Sequence, residues 1–309
     1  MRKRKRTSRT AWIITFLIAI VIFLIPLEKF DGLVKDWSDN ETANNYRVSD
    51  SLIKGELHSQ NAILINLNDY KILMEKQSEE IIFPASLTKI MTALVAIENL
   101  SDLHKQILLP EELFSNLYAA NASMAGFLPN EKVGAIDLLY GIMLPSGAEA
   151  SIGLANEIAG SEEAFVQLMN DKAKQLGMKD THFANATGLH QRDHYSSVKD
   201  ISMLLVYALK NQTFRTIFTA EKHSTSPSNL HPDGVTFQSS MFKKIDSANL
   251  LRGKITGGKT GYTEQAGLCL ASIAEINGQE YLLITAGANG DHQTEQYNIT
   301  DAIEVYKQL

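Results

Sequence analysis

The sequence predicts an α/β domain in which an antiparallel sheet is flanked by helices and joins both ends of the chain. Two strand-like runs about a polar turn occupy residues 61–76, and two apolar runs flank Asn277-Gly278 near the other end. An Asn-Gly pair between apolar runs is the strongest short-range hairpin signal. The segments between have helical spacing of apolar residues, which predicts a mostly helical subdomain.

The middle of the chain predicts a series of helices. The first is SLTKIMTALVAIENL, for which Ser86, after Pro84, is the expected N-cap. Four more follow in the stretches GAIDLLYGIMLP, AEASIGLANEIAG, SEEAFVQLMNDKAKQLG and VKDISMLLVYALKN. The final stretch, TEQYNITDAIEVYKQL, is amphipathic and predicts a closing helix.

The N-terminal residues predict a membrane anchor. Residues 1–10 carry six basic side chains and no acidic one, and the seventeen residues 11–27 carry no charge and just span a bilayer core. The positive-inside rule keeps the basic tail in the cytoplasm. A cleaved signal peptide is the alternative, although PLEKFDG offers no small-x-small cleavage site. We therefore expect a cytoplasmic tail (1–10), a single transmembrane anchor (11–27), a stalk (28–58) and an extracytoplasmic domain (59–309) at the cell membrane.

The part of the chain beyond the basic tail is acidic. After the first ten residues, 23 Lys and Arg stand against 35 Asp and Glu, which gives a formal charge of −12. This charge disfavours nucleic acid as a partner. The single cysteine, Cys269, cannot form an internal disulfide, and its apolar surroundings predict a small buried hydrophobe.

The stretch GKITGGKT, residues 253–260, matches the phosphate-binding pattern G-x-x-x-x-G-K-T. A phosphate loop needs a buried strand before it and a helix after it. Here the polar stretch FKKIDSANLLR precedes the pattern, and the runs of the predicted hairpin follow it. We therefore expect Lys259 at the entrance to antiparallel strands, and the context does not support nucleotide binding.

An activated serine is the chemistry that the sequence favours. In the pattern S-x-x-K both side chains lie on one helix face, so the amine can take the hydroxyl proton. The pattern occurs four times, at Ser51–Lys54, Ser86–Lys89, Ser196–Lys199 and Ser240–Lys243. Only Ser86 opens a strongly apolar helix, whose burial would desolvate Lys89 and lower its pKa towards that of a neutral base.

With a second motif added, the chain resembles the penicillin-recognising serine D,D-peptidases. Their motifs are S-x-x-K, a middle Ser-x-Asn and K-T-G, and this chain has PASLTK and then GGKTGYT. The stretches NASMAGF, MLPSGAEA, THFANATGL and HYSSVKDIS also resemble the low-molecular-weight D-alanyl-D-alanine carboxypeptidases, peptidase family S11. The resemblance covers roughly residues 58–309 and implies a β-lactamase/transpeptidase-like fold.

The resemblance implies a membrane-anchored carboxypeptidase that removes the terminal D-alanine from peptidoglycan stem pentapeptides. It implies no cofactor and no metal, and it makes β-lactam antibiotics covalent inhibitors. Ser86 would be the nucleophile, Lys89 its base, and Ser146 a proton relay to the leaving amine. The substrate-binding residues would be Lys259, Thr260, Gly261 and Tyr262. Lys259 and Thr260 would hold the substrate carboxylate, and the backbone N–H groups of Ser86 and Tyr262 would hold the oxyanion.

The middle motif departs from the family pattern. We assign it to S-G-A at Ser146, so Ala148 stands where the family has asparagine. The literal S-A-N at Ser247 lies too close to K-T-G. A lost hydrogen bond to a substrate amide costs about 0.5–1.5 kcal/mol, which weakens an enzyme rather than abolishing it. Glu149 could supply a substitute acceptor. A class A-like β-lactamase and a non-catalytic penicillin-binding sensor or scaffold are the alternatives.

Two other groups of residues suggest different chemistry. HQRDH brings His190, Asp193 and His194 together, but no third zinc ligand follows at a family spacing, so we expect a loop bordering the cleft. Four carboxylates suggest the deacylating group of a β-lactamase: Glu149, Glu157, Glu162 and Glu163. They lie on or beside amphipathic helices, where solvated faces are the usual explanation.

Overall fold

The computed structural model describes residues 56–245 and 247–309. Its main sheet has six antiparallel strands in the order β2-β1-β10-β9-β8-β7. They are β1 (Asn61–Asn66), β2 (Ile72–Lys76), β7 (Asn249–Leu250), β8 (Gly253–Thr263), β9 (Gly267–Ile276) and β10 (Gln279–Ala288). Because β1 pairs with β10, strands from both ends of the chain share one sheet, as the sequence predicts.

Helices and two small sheets fill the middle of the chain. The small sheets pair β3 (Gln106–Leu109) with β4 (Glu131–Gly134), and β5 (Lys222–Ser224) with β6 (Thr236–Gln238). The helices of the described part are α1 (Thr88–Asn99), α2 (Glu112–Ala119), α3 (Ala135–Met143), α4 (Ala148–Ala159), α5 (Glu162–Gln175), α6 (Val198–Ala208), α7 (Gln212–Phe218) and α8 (Tyr297–Lys307). The predicted helices are confirmed, while α2, α7 and both small sheets are additions.

Helices cover both faces of the main sheet. The closing helix α8 packs on one face, where the Tyr306 hydroxyl lies 3.0 Å from the hydroxyl of Ser272 on β9. Helix α6 packs against β1 and β10, and α1 packs against α6. Successive side chains on a strand point to opposite faces. Ala271 therefore faces away from α8, and so does Lys259, its partner across β8 and β9.

Strands β9 and β10 form a hairpin ahead of the closing helix α8. Asn277 and Gly278 have φ values of 52° and 74°, as the tightest hairpin turns require, so the predicted hairpin is confirmed. Strand β8 spans the whole of GKITGGKT and pairs with β9 on both sides of an irregularity between Ile255 and Gly257. Lys259 therefore lies within an antiparallel strand, where no phosphate-binding loop forms.

The start of α1 differs from the expectation. The helix begins at Thr88, and Ser86 lies before it in a 3-10 turn, Ala85–Leu87, so the predicted N-cap role of Ser86 is wrong. Ala85 has φ 46°, a left-handed conformation that redirects the backbone just before the serine. The Ser86 hydroxyl is thereby turned to Lys89 instead of to the backbone of the helix.

The chain enters the domain beside α8. The N–H groups of His58 and Ser59 donate to the Asp301 carboxylate at 2.9 and 2.7 Å, and Lys76 Nζ donates to the Leu57 carbonyl at 3.1 Å. The end of the predicted stalk is thus bonded to the domain. Within residues 56–245 and 247–309, no helix combines the length and apolar character needed to cross a bilayer. The predicted anchor at 11–27 lies outside the described residues.

Candidate active site

The 3-10 turn and the first turn of α1 bring Ser86 and Lys89 together. Lys89 Nζ lies 3.3 Å from Ser86 Oγ and donates to the Thr187 carbonyl at 2.5 Å. Ser86 is partly exposed, whereas Lys89 is 2% exposed. Since α1 is buried along most of its length, the amine is held rigidly beside a hydroxyl that a substrate can reach.

The motif THFANATGL forms the turn that supports this pair. The side-chain oxygen of Asn185 accepts hydrogen bonds from the N–H groups of Thr187 and Gly188, at 3.1 and 2.7 Å, which aims the Thr187 carbonyl at Lys89. Gly188 has φ 79°, and a Cβ placed there would lie 2.0 Å from the Ala85 carbonyl oxygen. Glycine is therefore required where this turn packs against the turn that carries Ser86.

Ser146 and Lys259 form a second pair across the cleft. Ser146 precedes α4 with φ 70°, an uncommon conformation for a residue with a side chain, of a kind found at functional sites. Lys259 Nζ donates to Ser146 Oγ at 2.9 Å and to the Thr260 carbonyl at 2.8 Å. Lys259 is fully buried, so this bond ties the helical side of the site to β8.

Thr260 presents a hydroxyl on the open side of β8. Thr260 Oγ1 lies 2.6 Å from Ser240 Oγ, and both residues are partly exposed. The Ser240 N–H also donates to the Leu144 carbonyl at 2.9 Å, just before the Ser146 turn. Two hydroxyls beside the buried amine of Lys259 make a site that can donate hydrogen bonds to an anionic group.

Gly261 connects the nucleophile to β8. A Cβ placed on Gly261 would lie 3.2 Å from the Ser86 nitrogen and 3.3 Å from the Ala85 Cβ. A side chain at this position would therefore crowd the backbone of Ser86. Tyr262 follows, and its ring packs edge-on against His292 at 4.8 Å. The sequence-predicted residues of all three motifs thus meet around one cleft.

Burial governs the electrostatics of both lysines. It lowers the pKa of Lys89 to about 7, although the carboxylates of Glu149 and Glu162 act in the opposite direction. Burial, together with the positive charge of Lys89, holds the pKa of Lys259 well below its usual range. An amine with a pKa near neutrality can accept a proton at physiological pH.

The two other serines of S-x-x-K patterns that the structure describes lie in environments unlike that of Ser86. Ser196 is fully buried and lies 2.8 Å from Thr181 Oγ1, and Ser51 lies outside the described residues. Ser240 is in the cleft, but its hydroxyl faces Thr260 rather than a lysine. Cys269 is buried, as expected, and burial raises its pKa to about 11.

The histidines of HQRDH have separate structural roles. The His190 ring packs edge-on against Phe83 at 4.6 Å, close to the Ser86 turn, as expected for a loop that borders the cleft. His194 is buried, accepts from the Ala184 N–H at 3.0 Å and lies 2.7 Å from Thr88 Oγ1. Burial lowers the pKa of His194 to about 4, so its ring is neutral.

Sequence reasoning missed three functional positions. Asn185 shapes the turn beside Lys89, Ser240 reaches Thr260, and Glu149 bonds to the loop at 125–127. From the sequence, Ser240 is interpreted only as a candidate nucleophile. Glu149 is interpreted only as a substitute acceptor or a solvated carboxylate. The local matches NASMAGF and THFANATGL pointed to two of these loops without indicating what they do.

Comparison with known proteins shows the family and the fold of this chain. The profile of the D-alanyl-D-alanine carboxypeptidase family, peptidase family S11, matches residues 45–290, which is most of the chain. The chain belongs to this family. The D-alanyl-D-alanine carboxypeptidase DacF of Bacillus subtilis is 35% identical to this chain over 237 residues, covering 75% of this chain and 58% of DacF. DacC of Escherichia coli is 29% identical over 235 residues, covering 74% of this chain and 56% of DacC. The chain thus spans little more than half the length of these relatives.

Solved structures show the same fold for this family member. The DD-transpeptidase of Streptomyces K15 superposes with a TM-score of 0.73 at 24% identity, covering 82% of this chain and 98% of the other. A D-alanyl-D-alanine carboxypeptidase from Mycobacterium tuberculosis gives 0.72 at 23% identity, covering 85% and 95%. The predicted transpeptidase-like α/β fold is therefore confirmed.

Proposed function

We propose that this S11-family chain is a serine D,D-carboxypeptidase that removes the terminal D-alanine from peptidoglycan stem pentapeptides. One observation carries the proposal: Gly261 packs against the Ser86 backbone, and Lys259 on the same strand bonds to Ser146, so the Ser86–Lys89 and Ser146–Lys259 pairs lie together. Membership of the D-alanyl-D-alanine carboxypeptidase family supports the choice of substrate.

Acylation begins at Ser86. Lys89, neutral above its pKa of about 7, accepts the Ser86 hydroxyl proton while Oγ attacks the carbonyl between the two terminal D-alanines. The N–H groups of Ser86 and Tyr262 hold the developing oxyanion. Such donors contribute about 3 to 4 kcal/mol each in comparable enzymes. The C–N bond then breaks, the leaving amine takes a proton through Ser146, and D-alanine departs.

The free carboxylate of the substrate binds at β8. The hydroxyls of Thr260 and Ser240 are partly exposed, and the Lys259 amine lies next to them, donating to the Thr260 carbonyl. A requirement for this carboxylate makes the enzyme a carboxypeptidase. Water then attacks the acyl-enzyme ester and gives a proton to Lys89. The C–O bond to Ser86 breaks, Lys89 returns the proton to Ser86 Oγ, and the shortened peptide leaves with a new carboxylate. None of these steps draws on a metal or a cofactor. The strained β-lactam ring would enter the same path and remain as an ester on Ser86.

Release of D-alanine tests this proposal. The purified full-length chain should release one D-alanine from a D-Ala-D-Ala-terminated pentapeptide and none from the corresponding tetrapeptide. Penicillin should label the protein and be hydrolysed only slowly. Rapid penicillin hydrolysis without D-alanine release would favour a β-lactamase, and labelling without either turnover would favour a sensor.

The surroundings of the carboxylates favour the peptidase over the β-lactamase. Glu149 is fully buried and accepts three backbone N–H groups, Glu162 accepts from the Ala186 N–H, and Glu157 pairs with Lys105. Glu163 lies on the exposed start of α5. These contacts engage the first three carboxylates in structural bonds, which leaves less support for a deacylating role.

The rate of acylation should depend on pH through Lys89. A base must be neutral to accept the serine proton, so kcat/KM should rise with pH and reach half its plateau near pH 7, the pKa of Lys89. Below that value it should fall by about tenfold per pH unit. A steady-state pH profile of D-alanine release measures this limb. A rate that is flat from pH 5 to 8 would exclude Lys89 as the base.

We also propose that residues 11–27 anchor the protein in the cell membrane with the domain outside. The uncharged stretch behind a basic tail supports this orientation. The full-length chain should stay in the membrane fraction through an alkaline carbonate wash, with its N-terminus intact. A mature N-terminus near residues 28–40 would show a cleaved signal peptide instead.

A further inference from the structure

Glu149 lies on the first turn of α4, next to the Ser146 turn, and is fully buried. Its Oε1 accepts the N–H groups of Ala125, Gly126 and Phe127 at 2.7, 2.9 and 3.3 Å. The neighbouring Ala148 N–H donates to the Ser123 carbonyl at 2.8 Å. One carboxylate oxygen therefore fixes the loop of the NASMAGF motif to the start of α4. Oε1 is thus engaged by the loop and does not serve as the substitute acceptor for the missing asparagine.

The second carboxylate oxygen has a different environment. Glu149 Oε2 is buried and has no hydrogen-bond partner among the described residues. It lies under the backbone that carries Ser146, since a Cβ placed on Gly147 would come within 3.0 Å of it. Buried acceptors without a partner are uncommon, and each calls for an explanation. Burial raises the pKa of Glu149, and the backbone N–H groups that donate to its carboxylate act in the opposite direction.

Several charged groups face Lys89 from the elements around it. Glu149 approaches from α4, Glu162 from the start of α5 and Lys259 from β8. His194, from the loop before α6, is neutral. The two carboxylates thus raise the pKa of Lys89, which opposes the effect of burial. Both carboxylates also hold loops of the site, because Glu162 accepts the N–H of Ala186 at 2.8 Å, next to the residue whose carbonyl binds Lys89.

We propose that Glu149 is a positioning residue of this site: Oε1 fixes the loop at residues 125–127, and the charge of the carboxylate sets how readily Lys89 accepts the Ser86 proton. The inference rests on the proposed acyl-transfer function. It gives the buried Oε2 a role, since a negative charge acts more strongly on a neighbouring amine in a low-dielectric interior than in water. Burial alone would make Lys89 a weaker base, and Glu149 counteracts this effect.

The rate of acylation by a fluorescent penicillin, measured from pH 5 to 9 on the full-length chain, tests the proposal. In Glu149→Gln the amide oxygen can still accept the three N–H groups, but the charge is gone. The neutral form of Lys89 is then favoured. The acid limb of the profile of acylation rate against pH should therefore move to lower pH by about half a unit to one unit. Glu157→Gln is the matched control on the same helix, because it removes a partly exposed carboxylate paired with Lys105, and its limb should stay at the wild-type pH.

A third variant separates charge from anchoring. Glu149→Asp keeps the charge but shortens the side chain, so its limb should stay near the wild-type pH while the plateau rate falls as the loop loosens. An unmoved limb in Glu149→Gln, or an equal shift in Glu149→Asp, would overturn the proposal. Titration of the Lys89 side chain by NMR of labelled lysine reads the same shift without turnover. Absence of penicillin labelling in the wild type would thus count against the proposed function alone, with this inference decided by the titration.

Discussion

Replacing Ser86 with alanine should abolish both D-alanine release and covalent labelling by a fluorescent penicillin. The variant has no oxygen to form the ester, while the remaining groups still bind substrate, so kcat/KM should fall by about 10,000-fold or more. The thermal unfolding midpoint should change little, because the partly exposed hydroxyl makes only the 3.3 Å contact with Lys89. Gel fluorescence and an assay of released D-alanine measure the two effects.

Ser196→Ala is the control for that experiment. Ser196 also begins an S-x-x-K pattern, but its side chain is fully buried and bonded to Thr181. Its loss should cost about 1 kcal/mol of stability and leave labelling intact. Labelling that survives in Ser86→Ala and disappears in Ser196→Ala would refute the assignment of the nucleophile.

Replacing Lys259 with methionine should have the second largest effect. Methionine roughly conserves the volume of the buried side chain, but Ser146 Oγ and the Thr260 carbonyl both lose the amine that donates to them. We expect kcat/KM to fall by about 100- to 1,000-fold, the usual cost of removing a donor that stabilises transition-state charge. Kinetics with the pentapeptide measure the fall.

Lys254→Met is the matched control, because Lys254 is an exposed lysine on the same strand. Its kcat/KM should stay within about twofold of wild type, as for most surface substitutions. Circular dichroism would show whether Lys259→Met keeps the native fold. A folded Lys259→Met protein with near-normal kcat/KM would remove Lys259 from the mechanism.

Local sequence patterns predicted much of the fold. Asn277-Gly278 predicted the hairpin because only a few residues adopt left-handed conformations at low cost, and the structure has both residues at positive φ. Periodicity predicted the long helices, because a buried face requires a regular apolar stripe. The short helices α2 and α7 and the two small sheets were not predicted. Segments of three to eight residues contain too few repeats of the apolar pattern to be recognised.

The site was predictable where a motif fixes local geometry and not where tertiary contacts create it. S-x-x-K placed Lys89 beside Ser86 within one helical turn, and only the start of the helix was misplaced. Ser240 bonds to Thr260, twenty residues away in sequence, and Glu149 bonds to Ala125, more than twenty residues away. Both contacts form only when separate elements pack together. Such contacts depend on how separate elements pack, which a single sequence does not encode in any short stretch.

Trapping the acyl-enzyme formed from the peptide substrate tests the central claim most directly. The full-length chain is mixed with a D-Ala-D-Ala-terminated pentapeptide, the reaction is stopped with acid within the first turnovers, and the protein mass is measured and mapped. We predict an added mass equal to the pentapeptide minus D-alanine, bound as an ester on Ser86 and missing in Ser86→Ala. D-alanine release without any such adduct, or an adduct on another residue, would contradict a mechanism through Ser86.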